Sequence, residues 1–174
     1  MQYSCFILST AYRVIKTMTI RRLVDKDLPR LRQFWVEHWG SEEIVSRGRI
    51  YRPKQLEGFV VEENNEWIGL LTFFIEDSEC EVTSLDSLRE GQGIGTMLLN
   101  EAIEEARERN CRRIFLITTN DNLNALGFYQ KRGFELVTVH RGAVNESRKI
   151  KPSILLIGYN NIPLRDEIEL EMSL

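Results

Sequence analysis

Histidine is scarce in this chain of 174 residues: His38 and His140 are the only two, and neither stands at a metal-ligand spacing. That argues against a zinc centre or a histidine-based catalytic triad. Cysteine is scarce as well. Cys5, Cys80 and Cys111 are odd in number and lack C-x-x-C spacing, which fits free, buried thiols in a reducing compartment. A cytoplasmic location is the corresponding expectation. Positive charge is not in excess, with 23 Lys and Arg against 26 Asp and Glu for a net charge of −3, so the sequence advertises no basic face for nucleic acid. Long apolar runs are missing too: Ile68 to Ile75 and Ile154 to Ile157 are far too short to cross a bilayer. There is no internal repeat and no low-complexity tract.

What remains is the composition of one soluble globular unit, 43% hydrophobic and 28% charged. Residues 1–17 carry neither a basic n-region nor a clear small-residue cleavage site, whereas Met18-Thr19-Ile20-Arg21 runs directly into a strand. The expectation is an extension over 1–17 and a single domain over 18–174. Strand Ile20–Val24 leads through Asp25 or Asp27 and Pro29 into a helix whose Leu28, Leu31, Phe34 and Trp35 share one face. Trp39-Gly40 ends that helix, and Ser41 is placed to cap a short second one. Strands over 58–63 and 67–76 flank the turn Asn64-Asn65, and Asp77-Ser78 turns into a strand over 79–85. A helix over roughly 94–109 buries Ile94, Leu98, Ala102 and Ala106 and wets Glu101, Glu104, Glu105 and Glu108. Ile114-Phe115-Leu116-Ile117 is apolar throughout, as in a strand covered on both faces, and strand, helix, strand in this order make a right-handed parallel βαβ unit. A helix from Asn122 to Arg132-Gly133, a strand over 134–140 and a last strand announced by Ile162, Leu164, Ile168, Leu170 and Met172 complete an α/β domain with a mixed sheet.

The most informative stretch is Glu90-Gly91-Gln92-Gly93-Ile94-Gly95 at the start of the main helix. Alternate glycines leave a row of backbone N–H groups unshielded, and with the positive end of the helix they suit a phosphate or pyrophosphate. Such a turn is weak evidence alone, because glycines also simply make tight turns.

Two motifs together give a resemblance to the GNAT superfamily of N-acetyltransferases, which move an acetyl group from acetyl-CoA to an amine. The first is the family's Q/R-x-x-G-x-G/A turn, here Glu90 to Gly95. The second is N-x-x-A-x-x-x-Y-x-x-x-G-F, met by Asn122, Ala125, Tyr129, Gly133 and Phe134. The match runs over 18–140 in element order. It departs from the family at Glu90, where Gln or Arg is usual. A carboxylate beside a pyrophosphate is unfavourable unless it points away, so the backbone of Gln92, Gly93, Ile94, Gly95 and Thr96 is expected to bind while Glu90 faces solvent.

The resemblance implies a fold in which parallel strands 79–85 and 112–119 splay apart to admit the pantetheine arm, which pairs with the backbone near Leu85 and meets Asn122 from the other side. Asn122 is equally a helix N-cap, and the two roles are compatible. The attacking amine must lose a proton and the departing thiolate must gain one. Glu81, within Glu81-Val82-Thr83-Ser84-Leu85, matches the strand on which the family often carries its base; Glu79 on the same face is the second choice, and a solvent-facing carboxylate is the plain alternative. Tyr129 matches the position of the family's general acid, against the alternative of a core tyrosine. No metal is expected, and the assembly is a monomer or a homodimer.

Acceptor choice is expected in residues 38–56 and the link 141–161, whose Arg and Lys residues either hold an anionic acceptor or form a solvated face. Asp166 interrupts the apolar face of the last strand. It is either buried and paired with Arg148 or Lys151, or sits in a wet turn. The functional expectation is acetyl transfer to a primary amine of a small molecule, amino acid or peptide; the alternative from another class is a catalytically silent acyl-CoA-binding regulatory module.

Overall fold

The computed structural model describes residues 18–174; the expected extension over 1–17 lies outside them. Seven strands form one sheet in the order β1 (Thr19–Arg22), β4 (Glu57–Glu63), β5 (Glu66–Glu76), β6 (Glu79–Ser87), β7 (Arg113–Thr119), β9 (Glu167–Ser173), β8 (Glu135–His140). Pairing is antiparallel everywhere in this sheet except between β6 and β7. The reason lies in the connections. Two-residue turns at Asn64-Asn65 and Asp77-Ser78, all at positive φ, join β4 to β5 and β5 to β6 as hairpins. Between β6 and β7 the chain instead crosses over through α2 (Ile94–Glu108), which makes the pair parallel.

Each face of the sheet is covered. On one side α2 and α3 (Leu123–Gln130) pack Ile94, Leu98, Leu99, Ala102 and Tyr129 against Cys80, Val82, Ile114 and Leu116. On the other, α1 (Leu28–Trp39) sets Leu31, Phe34 and Trp35 against Val60, Trp67 and Leu70. β5 lies between both layers, and its run from Trp67 to Phe73 is buried throughout. Gly69 is required there, because a Cβ would stand 2.3 Å from Ile94 Cγ2 of α2.

Four expectations are corrected. Residues 41–51 form no second helix; Ile44–Ser46 (β2) and Arg49–Tyr51 (β3) pair as a small hairpin around Arg47-Gly48. Both turn residues have positive φ, the geometry that matches strand twist, and Tyr51 and Ile44 bury against the α1 layer. The link 141–161 contains a helix, α4 (Ala143–Ile150), whose Val144 and Ser147 are buried. The last strand begins only at Glu167, since Ile162 and Leu164 belong to the irregular approach to it. Glu105 is not on a wet face: its carboxylate is largely covered and paired with Arg22 and Arg109.

Asp166 is buried, yet its partners are neither Arg148 nor Lys151. Its Oδ1 accepts the Gly142 N–H at 2.8 Å, and its Oδ2 accepts Arg165 Nε at 2.9 Å and Nη2 at 2.8 Å. The neighbouring Arg165 and the backbone hold its carboxyl well below the usual range. Arg148 instead donates to the carbonyls of Ile154, Leu155 and Leu164 and so ties the link to itself.

Candidate active site

The parallel ladder runs from Glu79 opposite Arg113 to Val82 opposite Leu116 and stops, although both strands continue. The stop coincides with a bulge. Thr72 of β5 faces Ser84 and Phe73 faces Val82, so Thr83 is an extra residue in β6. A bulge bends its strand and sharpens the local twist, which turns the second half of β6 away from β7. Thr72 Oγ1 pins it, lying 2.7 Å from both Thr83 Oγ1 and Ser84 Oγ.

Two cavities open in this splay. One of about 210 Å³ is lined by Glu81, Thr83, Asn122, Glu167, Trp39 and Tyr159, among others. A narrower one of about 90 Å³ reaches Leu85, Ala125 and Tyr129. They share Trp39, Val82, Thr83, Ile117, Thr118 and Asn122, so the two cavities adjoin, with Glu81 lining one and Tyr129 the other.

Glu81 projects from β6 toward the β2–β3 hairpin, where Tyr51 Oη donates to its Oε2 at 2.6 Å. Burial pushes its carboxyl above the usual range, opposed by the Tyr51 bond and by Arg47 and Arg49. Glu79, on the same face, is bound differently. Its two oxygens accept from Arg112 at 3.1 Å and Arg113 at 2.8 Å, and Arg113 also reaches Glu169 and Glu171. Both Glu79 oxygens are thus occupied by guanidinium donors, whereas Glu81 carries one phenol donor and lines the cavity, so the contacts separate two residues that strand period alone leaves equivalent.

Tyr129 is buried between Phe128 (ring centroids 5.0 Å, interplanar 88°) and Phe134 (5.6 Å, 61°). Burial raises its phenol pKa, with Asp86 adding to the effect, so it stays protonated at neutral pH. Asn122 caps α3, its Oδ1 accepting Ala125 N–H at 3.1 Å, while it lines both cavities. Its amide NH₂ faces no requirement from the cap.

At the glycine turn, Gly91 and Gly93 have φ of +73° and +75°, and Gly93 is the N-cap of α2. The first helical bond is Met97 N–H to Gly93 O, so the N–H groups of Ile94, Gly95 and Thr96 precede the ladder. Gln92 and Gly93 are exposed, as is Glu90; Arg89 is turned onto Glu63 at 2.5 Å. Gly95 also packs closely, since a Cβ there would meet Phe128 Cζ at 3.3 Å.

One side chain beside the glycine turn has no counterpart among the sequence expectations for the site. Arg132, just after α3, donates from Nε and Nη2 to Thr96 Oγ1 at 3.0 and 2.6 Å, and its guanidinium lies 3.6 Å from the Phe128 ring centroid. A cation thus stands beside the first turn of α2, near where Glu90 supplies none. Its place inside the Tyr129-to-Gly133 motif was the available signal.

A family model for the acetyltransferase (GNAT) family matches residues 21–134. The chain belongs to this family. The GNAT chain is 47% identical over 146 residues to the uncharacterized protein YxbD of Bacillus subtilis, covering 83% of this chain and 91% of that one. In fold it is similar to an IAA acetyltransferase from Bacillus cereus (TM-score 0.67, 22% identity, 91% and 100% of the two chains). It is similar too to a GNAT family acetyltransferase from Elizabethkingia anophelis solved with acetyl-CoA bound (TM-score 0.66, 24% identity, 90% and 98%). No helix among the described residues is long and apolar enough to cross a membrane.

Proposed function

We propose that this GNAT protein transfers the acetyl group of acetyl-CoA to a primary amine by direct attack. The observation that carries the reading is the pair of adjoining cavities at the β6–β7 splay, one lined by a desolvated carboxyl, Glu81, and the other by a buried phenol, Tyr129. The N–H row of 92–96 receives the pyrophosphate, the β6 backbone near Leu85 and the Asn122 amide hold the pantetheine arm, and Arg132 adds a positive charge at the α2 terminus. The Elizabethkingia structure, with its acetyl-CoA, supports the choice of donor.

The chemistry follows from the groups present. An ammonium entering beside Glu81 gives a proton to that carboxylate, whose raised pKa brings it nearer to working pH. The freed nitrogen lone pair forms a bond to the thioester carbon, and the tetrahedral adduct collapses with cleavage of the carbon–sulfur bond. Tyr129 O–H protonates the leaving thiolate, and the second proton, which the adduct's nitrogen sheds on becoming an amide, returns the phenolate to the phenol. Among the described residues a covalent acyl-cysteine route finds no support, because Cys80 and Cys111 are buried in the α2 layer and Cys80 is pushed up to about 12 by burial. Positioning of amine against thioester supplies much of the acceleration.

The test is steady-state acetylation with paired variants. Tyr129→Phe is expected to lower kcat with little change in acetyl-CoA affinity. Glu81→Gln is expected to lower kcat/KM for the amine, with partial recovery at high pH where free amine is abundant. A protein that binds acetyl-CoA but acetylates no amine under any condition would favour a silent acyl-CoA-binding module instead.

A further inference from the structure

The cavity beside Glu81 has a second buried carboxylate. Glu167, at the start of β9, is 4% exposed; its Oε2 accepts Arg47 N–H at 2.9 Å and its Oε1 accepts Ser147 Oγ at 3.3 Å. No lysine, arginine or histidine lines this cavity among the described residues. Arg47, which stands in the hairpin above, directs its guanidinium to Glu169 at 3.2 Å. The compartment where the amine must sit therefore presents two carboxyl groups and no cationic side chain in its lining; burial pushes both carboxyls up, so an entering ammonium favours their ionised forms.

This inner cavity continues into a larger groove of about 430 Å³, the two sharing Trp39, Ile44, Val45, Thr119 and Glu167. The groove has apolar walls from three elements: Ile44 and Val45 of β2, Val144 of α4, and Ile154, Leu155 and Leu164 of the link. The lining also carries His38, Glu43, Ser147 and Ser153, and Lys151, whose Nζ donates to the Trp39 carbonyl at 3.4 Å. A bound molecule thus meets carboxyl groups at one end and a wall of mixed character, with six apolar side chains from these elements, along the rest.

Resting on the acetyl-transfer reading above, we propose that the acceptor is a primary amine on a short spacer with an apolar body, such as an aryl or branched alkyl group, and that no carboxylate is attached to the amine-bearing carbon. The ammonium is drawn between Glu81 and Glu167, and the body lies in the groove between β2, α4 and the link. An amino acid places its carboxylate in the inner cavity, beside the carboxyl groups of Glu81 and Glu167 and with no cationic side chain in the lining, which is unfavourable. A diamine brings a second charge and no apolar body to the side chains of β2, α4 and the link, and so gains none of their burial.

The test measures acetylation by the full chain of phenethylamine, ethylamine, phenylalanine and putrescine, with CoA release as readout. The expected order puts kcat/KM for phenethylamine about tenfold or more above ethylamine, from burial of the ring, and further still above phenylalanine and putrescine. Ile154→Glu and, separately, the solvent-facing Leu155→Glu are expected to reduce the phenethylamine-to-ethylamine ratio of kcat/KM about tenfold. Phenylalanine, putrescine or ethylamine used as well as phenethylamine overturns the acceptor class while leaving acetyl transfer intact. Turnover of none of the four amines, with acetyl-CoA bound normally, overturns the catalytic reading and the acceptor class with it.

Discussion

Tyr51 of β3 donates its hydroxyl hydrogen to Glu81 Oε2 at 2.6 Å, so the hairpin above the sheet tunes the carboxylate proposed as base. The bond favours the ionised form against a burial effect that favours the neutral one, and burial wins. A hydrogen bond to a charged group contributes about 1.5–3 kcal/mol, equivalent to about one to two pH units. Tyr51→Phe is therefore expected to move the acid limb of the kcat/KM profile to higher pH by that amount. At neutral pH the rate falls, and it recovers as pH rises and Glu81 ionises. An acid limb that stays in place in the folded variant would remove Glu81 from the role.

The glycine turn gives a prediction about binding with a separable cost in stability. Gly93 has φ +75°, and a Cβ added there would stand in open space with no atom within 4 Å. Gly93→Ala is therefore strained by backbone alone, at about 1–2 kcal/mol. Relaxing that strain means rotating the N–H row at the α2 terminus. Calorimetry is expected to show CoA affinity about tenfold or more weaker, a larger effect than the stability loss explains. Unchanged affinity in the folded variant would mean that the phosphates bind elsewhere.

Asp86 carries a stability prediction. Burial pushes its carboxyl up to about 6, with the Trp39 indole N–H, 3.2 Å from each oxygen, pulling the other way. Unfolded, the group titrates at about 3.9. Between those values the folded state holds the proton and the unfolded state has lost it, so Asp86 makes stability fall as pH rises from about 4 to about 6. Asp86→Asn is expected to remove that contribution. The variant gains stability relative to wild type across this window, and the gain levels off above it. Denaturant melts at a series of pH values check this, and a stability difference that does not vary with pH would refute it.

Much of this architecture was legible because local signals agreed with the global fold. Asn64-Asn65 and Asp77-Ser78 named their hairpins, and the glycine turn, α2 stripe and Ile114–Ile117 run named the crossover. What failed was short or masked by charge. β2 and β3 have three residues each, too few for a visible alternation, and the pairing depends on Arg47-Gly48 adopting positive φ. α4 hides its two buried residues, Val144 and Ser147, among Asn145, Glu146, Arg148 and Lys149. At the site, strand period put Glu79 and Glu81 on one face, and only the family resemblance ranked Glu81 first, without a physical distinction between them. That distinction comes from Arg112 and Arg113 on one carboxylate and Tyr51 on the other, contacts 30 or more residues apart. Glu167 is hidden in the sequence for the same reason: only the fold brings it beside Glu81.

Asp166 joins the last strand to the acceptor side of the cleft. Its Oδ1 holds the N–H of Gly142, which has φ +73° and caps α4, and α4 supplies Val144 and Ser147 to the groove wall. Asp166→Ala leaves that buried N–H without its partner, a loss of about 1–3 kcal/mol. The start of α4 loosens, and the groove loses its fixed floor while the glycine turn, on the opposite side of the sheet, is untouched. The expected result is a several-fold rise in KM for the amine acceptor with KM for acetyl-CoA unchanged. Arg165→Ala serves as the contrast. Arg165 is mostly exposed and reaches the buried Asp166 from the solvent side, and the Gly142 N–H bond to Oδ1 does not depend on it, so its removal is expected to change neither KM appreciably. Equal effects of Asp166→Ala on both Michaelis constants would mean that it destabilises the whole domain, and that α4 does not position the acceptor.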